Sequence, residues 1–341
     1  MPKSARVCHQ AIFPGIENTI AVSTAPETEG VRCRSANPAA GPGRIIAVDY
    51  VRRMPGGSQS QLLRCSDGEY YVVKFQNNPQ GKRILANDLL GSILARKMGL
   101  PVGDPAVVEV PQSLINRYED MCIQCSRGRI PLQPGLCFGS RLPMDSRHLE
   151  KVAVRQVLDV RARADSSWIE NVLDVPGMLV FDKWTYNTDD RQAIFVRDQG
   201  CTTYRAVMID QGHCFNGVHW NFPDYPIQCL GLYELVYSSV KRFGNFEPWI
   251  ERLETEFDIA VLEDAGNRIP PEWYDGYREL LLGLLERLDR RRADVVDLLW
   301  CTWKTIRRSF SVSSLVMRLR PRPPISVPGL AQSGRLRASN E

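Results

Sequence analysis

Three polar residues, each beside an apolar stretch, are the positions of this sequence best suited to chemistry. Lys74 lies in the run 70–75, Asp189 follows an apolar run at 178–181, and Asp210 closes the strand-like run 206–209. Magnesium-dependent phosphoryl transfer uses a lysine to hold phosphates, one carboxylate to orient a hydroxyl and another to carry the metal. The order of these residues along the chain therefore predicts that chemistry.

Lys74 is the only charged residue of its predicted strand. Alternate residues of a strand share a face, so Lys74 shares one with Tyr70 and Val72. A buried ammonium needs an anion, and both a phosphate and Asp88 of the following predicted helix are candidates. The alternatives are a strand-end lysine that reaches solvent and an exposed polar helix face at Asn87 and Asp88.

The segment Gly56, Gly57 and Ser58 precedes the strand of Lys74. Paired glycines let backbone N–H groups approach phosphate oxygens closely. No Gly-Lys-Ser/Thr follows, so this is not a Walker motif, and an ordinary loop is the alternative. Its position one strand before Lys74 favours the phosphate-binding interpretation.

Polar groups are dense at 187–192, directly after the apolar run. Asp189 is a candidate to accept or orient a hydroxyl proton, and Arg191 to neutralise charge on the transferred group. Turn chemistry explains an Asn-Thr-Asp-Asp segment equally well. Asp210 follows Met208 and Ile209, and a carboxylate at the end of a buried strand suits a magnesium ion held by one or two carboxylates and phosphate oxygens.

The elements that must position these residues change character along the chain. A predicted hairpin at 60–75, a helix at 81–99 and a strand at 105–110 form a strand-rich N-terminal part. Residues 111–143 read as loop-rich. Beyond them we predict a helix at 169–184, broken at Pro176 and Gly177, and a hairpin with strands at 193–196 and 204–209. Further helices are predicted at 230–243, 246–256 and 272–308.

These elements predict an α+β fold with two lobes and a ligand cleft between them. The expected division is a disordered N-terminal arm at 1–43, a nucleotide-binding N-lobe at 44–135, a C-lobe with the hinge, catalytic and metal-binding residues at 136–305, and a basic disordered tail at 306–341.

Bulk properties set limits on the class of protein. The chain has 341 residues, 43% of them hydrophobic, and no run of eighteen apolar residues, so we expect a cytoplasmic protein without a membrane partner. Its ten cysteines are scattered, which is typical of small buried hydrophobes rather than of a disulfide framework. Cys122 and Cys125 form a lone CxxC without the second pair that a zinc site needs.

The net charge of +4 is concentrated at the C-terminus. A basic tail is able to contact nucleic acid, but a solvated disordered end is the simpler interpretation. The basic residues beyond 303, against the single acid Glu341, are Lys304, Arg307, Arg308, Arg318, Arg320, Arg322, Arg335 and Arg337.

Several motifs together resemble the HipA-like kinases, particularly their shorter bacterial members. The N-terminal motifs are Tyr-Val-Val-Lys-Phe at 71–75, Ala-Asn-Asp-Leu-Leu at 86–90 and Gly-Leu-Pro-Val at 99–102. The C-terminal ones are Phe-Asp-Lys-Trp at 181–184, Asn-Thr-Asp at 187–189 and Met-Ile-Asp-Gln-Gly at 208–212. The resemblance covers about residues 44–300 and extends, more distantly, to phosphoinositide kinases.

The resemblance implies a protein-kinase-like fold that binds ATP and Mg²⁺. It assigns phosphate contacts to Lys74, with the glycines at 56 and 57 above them, the catalytic acid-base role to Asp189 and a metal ligand to Asp210. Cys137 and Phe138 would lie near the adenine, in the hinge.

Two departures from the family pattern bear on turnover. The asparagine that usually follows the catalytic aspartate as second metal ligand is absent. Gln192 is a candidate substitute with a longer reach, and the alternative is that the second ligand is missing. Asp88 stands where a longer glutamate is commoner. The prediction is a kinase acting on a Ser or Thr hydroxyl, with a protein as substrate. The alternatives are a nucleotide-binding pseudokinase that acts as a regulator, and a nucleic-acid-binding protein that uses the basic tail.

Overall fold

A computed structural model gives the structure of the chain, which describes residues 44–142, 167–189, 191–197, 201–224 and 240–304. The predicted arm at 1–43, the tail at 306–341 and most of the predicted helix at 230–243 lie outside these ranges.

The N-terminal half of the described chain forms a closed five-stranded barrel. The neighbour order is β1-β2-β3-β7-β4, antiparallel except for the parallel pairing of β1 with β4. Its strands are β1 Ile45–Arg53, β2 Gln61–Cys65, β3 Tyr70–Lys74, β4 Pro105–Val110 and β7 Gly135–Arg141. The predicted strands at 60–75 and 105–110 are therefore confirmed.

Side-chain alternation in β3 decides what the barrel buries. Tyr71, Val73 and the following Phe75 pack in the hydrophobic cluster of the barrel. Lys74 lies on the opposite face of the strand, where it is nonetheless buried. The barrel thus presents one ammonium group on its outer face.

The prediction of a loop-rich segment at 111–143 is wrong. This segment holds the short helix α2 Gln112–Arg117, the hairpin of β5 Cys122–Cys125 with β6 Gly128–Pro131, and β7. Two glycines and a serine weaken the sequence pattern of β7, so the pattern does not indicate a strand. Gly139 is needed there because a Cβ would lie 2.6 Å from Cγ2 of Val108 on the neighbouring strand.

Helix α1, Arg83–Lys97, connects the barrel to the helix-rich remainder. Most of its residues are buried, because it contacts β4 and β7 on one side and the segment after Asp210 on another. A helix surrounded by protein needs no polar face. The side chains at 87 and 88 therefore point into protein rather than to solvent.

The first helix after the barrel within the described ranges is α3, Val175–Thr185. The predicted start at 169 is wrong, since only a short 3-10 turn, Val172–Asp174, precedes it. Pro176 lies in the first turn, where its missing N–H has no helical partner in any case. The Pro-Gly pair therefore begins this helix and does not interrupt it.

The remaining described elements are a hairpin and helices. Strands β8 Gln192–Val196 and β9 Arg205–Ile209 confirm the predicted hairpin, and α4 Glu247–Glu256 confirms the predicted helix at 246–256. Helix α5 Ile259–Asn267, capped by the Asp258 carboxylate, was not predicted.

The single helix predicted at 272–308 is wrong. A 3-10 turn, Pro271–Tyr274, comes first, and α6 Arg278–Arg291 is separated by a turn from a further helix at 295–304. Asp275 and Gly276 both take positive φ before α6, which ends the preceding turn.

The described chain thus combines strands and helices, as an α+β fold requires; the two-lobed division stays a prediction. Within the described ranges, no helix has the length and apolar character needed to cross a membrane.

Candidate functional site

The ammonium of Lys74 binds two carboxylates that come from distant parts of the chain. Its Nζ donates to Asp88 Oδ2 at 2.7 Å and to Asp210 Oδ1 at 2.8 Å. The side chains of Lys74 and Asp88 are 7% and 2% exposed, whereas that of Asp210 is 20% exposed. The predicted contact of Asp88 with Lys74 is confirmed, and Asp210 forms the open side of the cluster.

Burial and charge act against each other in this cluster. Burial by itself would lower the pKa of Lys74, but the two carboxylates more than compensate and raise it. Burial raises the pKa of Asp88 to about 6, despite the attraction of Lys74. Burial would also raise the pKa of Asp210, yet Lys74 and His213 hold it below its usual value. Lys74 therefore stays charged, and Asp210 is the carboxylate that stays ionised most readily.

Asp210 is positioned by the segment that follows it. Its φ is +57°, a conformation that Asp tolerates better than most residues. The next backbone N–H, that of Gln211, donates to Asp88 Oδ1 at 2.9 Å. Helix α1 thus fixes both the lysine and the turn that carries Asp210.

Asn87 adds a second attachment between α1 and this segment. Its completely buried side chain donates to the carbonyls of Gly212, Cys214 and Gly217 and accepts from the indole N–H of Trp220 at 2.7 Å. Both N–H donors of the amide are used, one of them shared between two carbonyls, and the oxygen accepts one hydrogen bond. Asn87 therefore anchors residues 212–220, a role that the sequence analysis did not assign.

The glycine segment lies in the turn between β1 and β2. Gly56 has φ +118°, and its carbonyl accepts from the N–H of Gln59 at 3.2 Å. The Ser58 hydroxyl is 3.1 Å from that of Ser60. Strand β2 is antiparallel to β3, with Gln61 opposite Val73. The turn before Gln61 therefore lies at the end of the sheet where β3 carries Lys74.

The segment with Asp189 is tied to the segment with Asp210. The N–H of Thr188 donates to the carbonyl of His213 at 3.0 Å. Gln192 pairs with Ile209, the residue before Asp210, and its Nε2 donates to Asp189 Oδ2 at 3.2 Å. The structure therefore brings Asp189 and Gln192 to the same hairpin end as Asp210.

The guanidinium of Arg191 is buried against Asp182 and the β8–β9 hairpin. It makes two hydrogen bonds to Asp182, one of them from Nε to Oδ2 at 3.0 Å, and another to the carbonyl of Ile209 at 3.2 Å. The side chains of Arg191 and Asp182 are 5% and 1% exposed. A guanidinium held in this way braces the β8–β9 hairpin, and the catalytic role predicted for Arg191 stays a prediction.

Cys137 and Phe138 lie in strand β7 of the barrel. Both are buried in β7, and their strand is hydrogen bonded on both edges, to β3 and to β4. Burial raises the pKa of the Cys137 thiol above its usual range. These two residues belong to a central strand of the barrel, and their predicted place near an adenine stays a prediction.

The donor set suits a magnesium ion with a phosphate. Magnesium keeps several waters and takes one or two carboxylates plus phosphate oxygens, and Asp210 is a partly exposed carboxylate of this kind. Among the described residues no three His, Cys, Asp or Glu side chains converge, so a cage made only of protein ligands is not found in this part of the chain. Gln211 Nε2, one residue from Asp210, is a buried donor without a hydrogen-bond partner there.

The sequence analysis missed Asn87, Asp182 and Gln211 as members of the site framework. Asn87 and Asp182 each belong to a polar pair within an apolar helix, and Gln211 follows Asp210 at the end of an apolar strand. A polar side chain in such a place is either exposed or fully hydrogen bonded, and the sequence does not distinguish the two.

Residues 47–198 match the model of a family described as HipA-like kinase. The resemblance inferred from the sequence motifs is thereby confirmed over this segment. The match includes Lys74, Asp88 and Asp189 and ends before Asp210. No curated protein matches the sequence.

Three solved kinase structures are similar to this chain. A proinflammatory kinase of Helicobacter pylori, CtkA, has 13% identity and a TM-score of 0.48, over 76% of this chain and 99% of that chain. A Golgi casein kinase has 13% identity and a TM-score of 0.45, over 75% and 73%. The same kinase type with Mn and ADP bound has 11% identity and a TM-score of 0.41, over 77% and 73%. All three TM-scores are below 0.5, so these likenesses carry no conclusion about function.

Proposed function

We propose that this chain is a magnesium-dependent kinase that transfers the γ-phosphate of ATP to a Ser or Thr hydroxyl, with a protein as the phosphoacceptor. The family match supports a kinase function. The observation that carries the finer proposal is the buried ammonium of Lys74 shared by Asp88 and the partly exposed Asp210. Phosphoryl transfer depends mainly on positioned charges, and this cluster supplies them.

In the proposed mechanism Lys74 holds phosphate oxygens, while Asp88 keeps its ammonium in place. The turn with Gly56 and Gly57 lies above the phosphates and contributes backbone N–H groups. Because Lys74 remains charged, its attraction for a triphosphate does not require a protonation step.

Asp210 would hold the magnesium ion, with Gln192 as a candidate second ligand; the ion would neutralise charge that develops on the transferred group. Asp189 orients the acceptor hydroxyl and accepts its proton as the new O–P bond forms and the bond between the γ-phosphorus and the β,γ-bridging oxygen breaks. Arg191 holds the hairpin that carries Asp189 and Asp210 through its contacts with Asp182 and Ile209.

The domain division is part of this proposal, with one boundary moved. The predicted limit at 135/136 falls at the start of β7, a strand that lies between β3 and β4 in the barrel. We therefore place the end of the strand-rich lobe beyond Leu142 and the helix-rich lobe after it. A cytoplasmic location remains an expectation.

A transfer assay with γ-labelled ATP and magnesium tests the function. Asp210→Asn should reduce transfer on the order of 10³-fold, because it removes the charge that holds the metal. Asp275→Asn is the matched control: Asp275 also pairs with a lysine, Lys82, but on the exposed surface and at a positive φ that Asn accepts. The proposal fails if wild type transfers no phosphate to itself or to lysate proteins, or if both variants behave alike.

A pseudokinase is the second candidate, and Gln192 is the observation that favours it. The family's asparagine is replaced by a residue whose amide nitrogen already donates to Asp189. A nucleotide at a hundred times its Kd stabilises a protein by about 2.7 kcal/mol. Stabilisation of this size by Mg-ATP, without any transfer, would identify a pseudokinase. The nucleic-acid alternative rests on residues after Phe310, which lie outside the described ranges.

A further inference from the structure

The side chain of Gln80 lies between the glycine turn and the segment after Asp210. A Cβ placed on Gly57 would be 3.3 Å from Gln80 Nε2, so the turn passes directly beside this amide. The same Nε2 is 3.2 Å from Nε2 of His213. Gln80 therefore contacts both walls of the proposed phosphate site.

Gln80 is held rigidly by the connection between β3 and α1. Its N–H donates to Asn78 Oδ1 at 2.8 Å, and the N–H of Asn78 donates to the carbonyl of Phe75 at 3.1 Å. The carbonyl of Asn78 accepts from Gly81 at 3.0 Å. Phe75, the first residue after β3, thus begins the turn that carries the backbone of Gln80.

The amide of Gln80 has one polar atom that the described residues leave unsatisfied. Oε1 is buried and has no hydrogen-bond partner in this part of the chain, whereas Nε2 is directed at His213. Nε2 carries two N–H donors, and the contact with His213 uses at most one of them.

We propose that Gln80 contacts a phosphate of the bound nucleotide through its side-chain NH₂ group and that His213 sets the direction of the amide. This assignment rests on the proposed function. A phosphate oxygen accepts hydrogen bonds but donates none, so it selects the orientation in which the NH₂ group faces it. Gly57 leaves the space beside the amide free of a side chain.

Two substitutions of Gln80 test the contact by measuring binding of Mg-ATP and of adenosine, which lacks phosphates. Gln80→Met keeps the length of the side chain and should raise the Kd for Mg-ATP about tenfold, the value of a hydrogen bond to a charged group. Gln80→Glu should raise it further through repulsion. The Kd for adenosine should change less than about twofold in both variants, since these effects act on the phosphates alone.

Gln112→Glu is the matched control, because Gln112 is exposed on α2 and bonded to Asn116. Thermal unfolding without nucleotide establishes that each variant is folded. A double-mutant cycle with His213→Phe tests the orientation: Gln80→Met should cost less Mg-ATP affinity in that background than in wild type. Equal costs would overturn the role of His213.

The outcomes separate this assignment from the proposed function. If wild type binds Mg-ATP and the Gln80 variants bind it equally well, or lose adenosine and Mg-ATP affinity in parallel, the phosphate contact is wrong while the nucleotide site stands. If wild type binds neither compound, the proposed function fails and this assignment fails with it.

Discussion

Two buried clusters of this chain are built from the same kinds of residues and differ in their surroundings. In one, Lys74 joins Asp88 and Asp210; in the other, Arg191 joins Asp182 and the hairpin backbone. The first contains a carboxylate with a fifth of its side chain exposed, and the second is closed on all sides. Both clusters pair a buried cation with a carboxylate, and the exposure of one charged group is the first difference between them.

The cations of the two clusters also suit different tasks. Arg191 uses the planar guanidinium to bind one carboxylate through two N–H groups, a geometry that fixes orientation. Lys74 is a compact charge whose donors are shared between two carboxylates. A phosphate oxygen is able to replace one of those carboxylates without dismantling the pair that Lys74 makes with Asp88.

The largest effect on stability should come from one isosteric change made in both clusters. Asp182→Asn leaves the Arg191 guanidinium buried without its counterion and should lower the free energy of unfolding by about 3–5 kcal/mol. Asp210→Asn leaves Lys74 paired with Asp88 and should cost about 1 kcal/mol or less. Denaturant unfolding of both variants beside wild type measures the difference. Equal costs would remove the distinction between brace and site.

Nucleotide binding gives the next effect in size. Mg-ATP at a hundred times its Kd should stabilise wild type by about 2.7 kcal/mol, and Lys74→Met should lose most of that increment. Lys82→Met is the control, since Lys82 pairs with Asp275 on the surface. For each variant the free energy of unfolding with Mg-ATP is compared with that without it. The effect of the substitution on the stability of the nucleotide-free protein therefore cancels. Retention of the full increment in Lys74→Met would show that the ammonium does not hold phosphate.

The smallest effect is a pH dependence that originates in Asp88. Its folded pKa is raised to about 6 from an ordinary value of 3.8, so the folded state binds more protons between these values. Its contribution to the free energy of unfolding therefore falls as the pH rises from about 4 to about 6 and is constant above. Asp88→Asn removes this contribution.

The measurement is urea unfolding of wild type and Asp88→Asn from pH 4 to pH 7. The difference in free energy of unfolding, wild type minus variant, should decline over the lower part of that range and level off above pH 6. A difference that rises with pH would mean that attraction by Lys74 outweighs burial at Asp88.

Elements with strong local signals were predictable from the sequence. The strand of Lys74 and the β8–β9 hairpin have alternating or apolar runs bounded by turn residues, and both were found close to their predicted limits. The strand β7 was missed because Gly135, Gly139 and Ser140 weaken its pattern. Its strand character comes from pairing with β3 and β4, which no local window contains.

Among the site residues, those placed by neighbouring elements were predictable and those placed by distant segments were not. The contact of Lys74 with Asp88 joins residues 14 apart and follows from a strand leading into a helix. The surroundings of Arg191 were not predictable because its partner Asp182 lies in α3, which reads locally as a buried apolar helix. The position of Cys137 and Phe138 in the barrel was not predictable because their segment, predicted as a linker, is a central strand.

The sequence by itself determined the kinds of groups available, their order and the short elements that carry them, since periodicity and turn chemistry act over a few residues. Only the tertiary structure decided that Lys74 meets Asp210 across 136 positions, that Arg191 is enclosed and that Asp210 is not. Burial and charge pairing depend on which distant segments pack together, and these two quantities set the chemistry of an ionisable group.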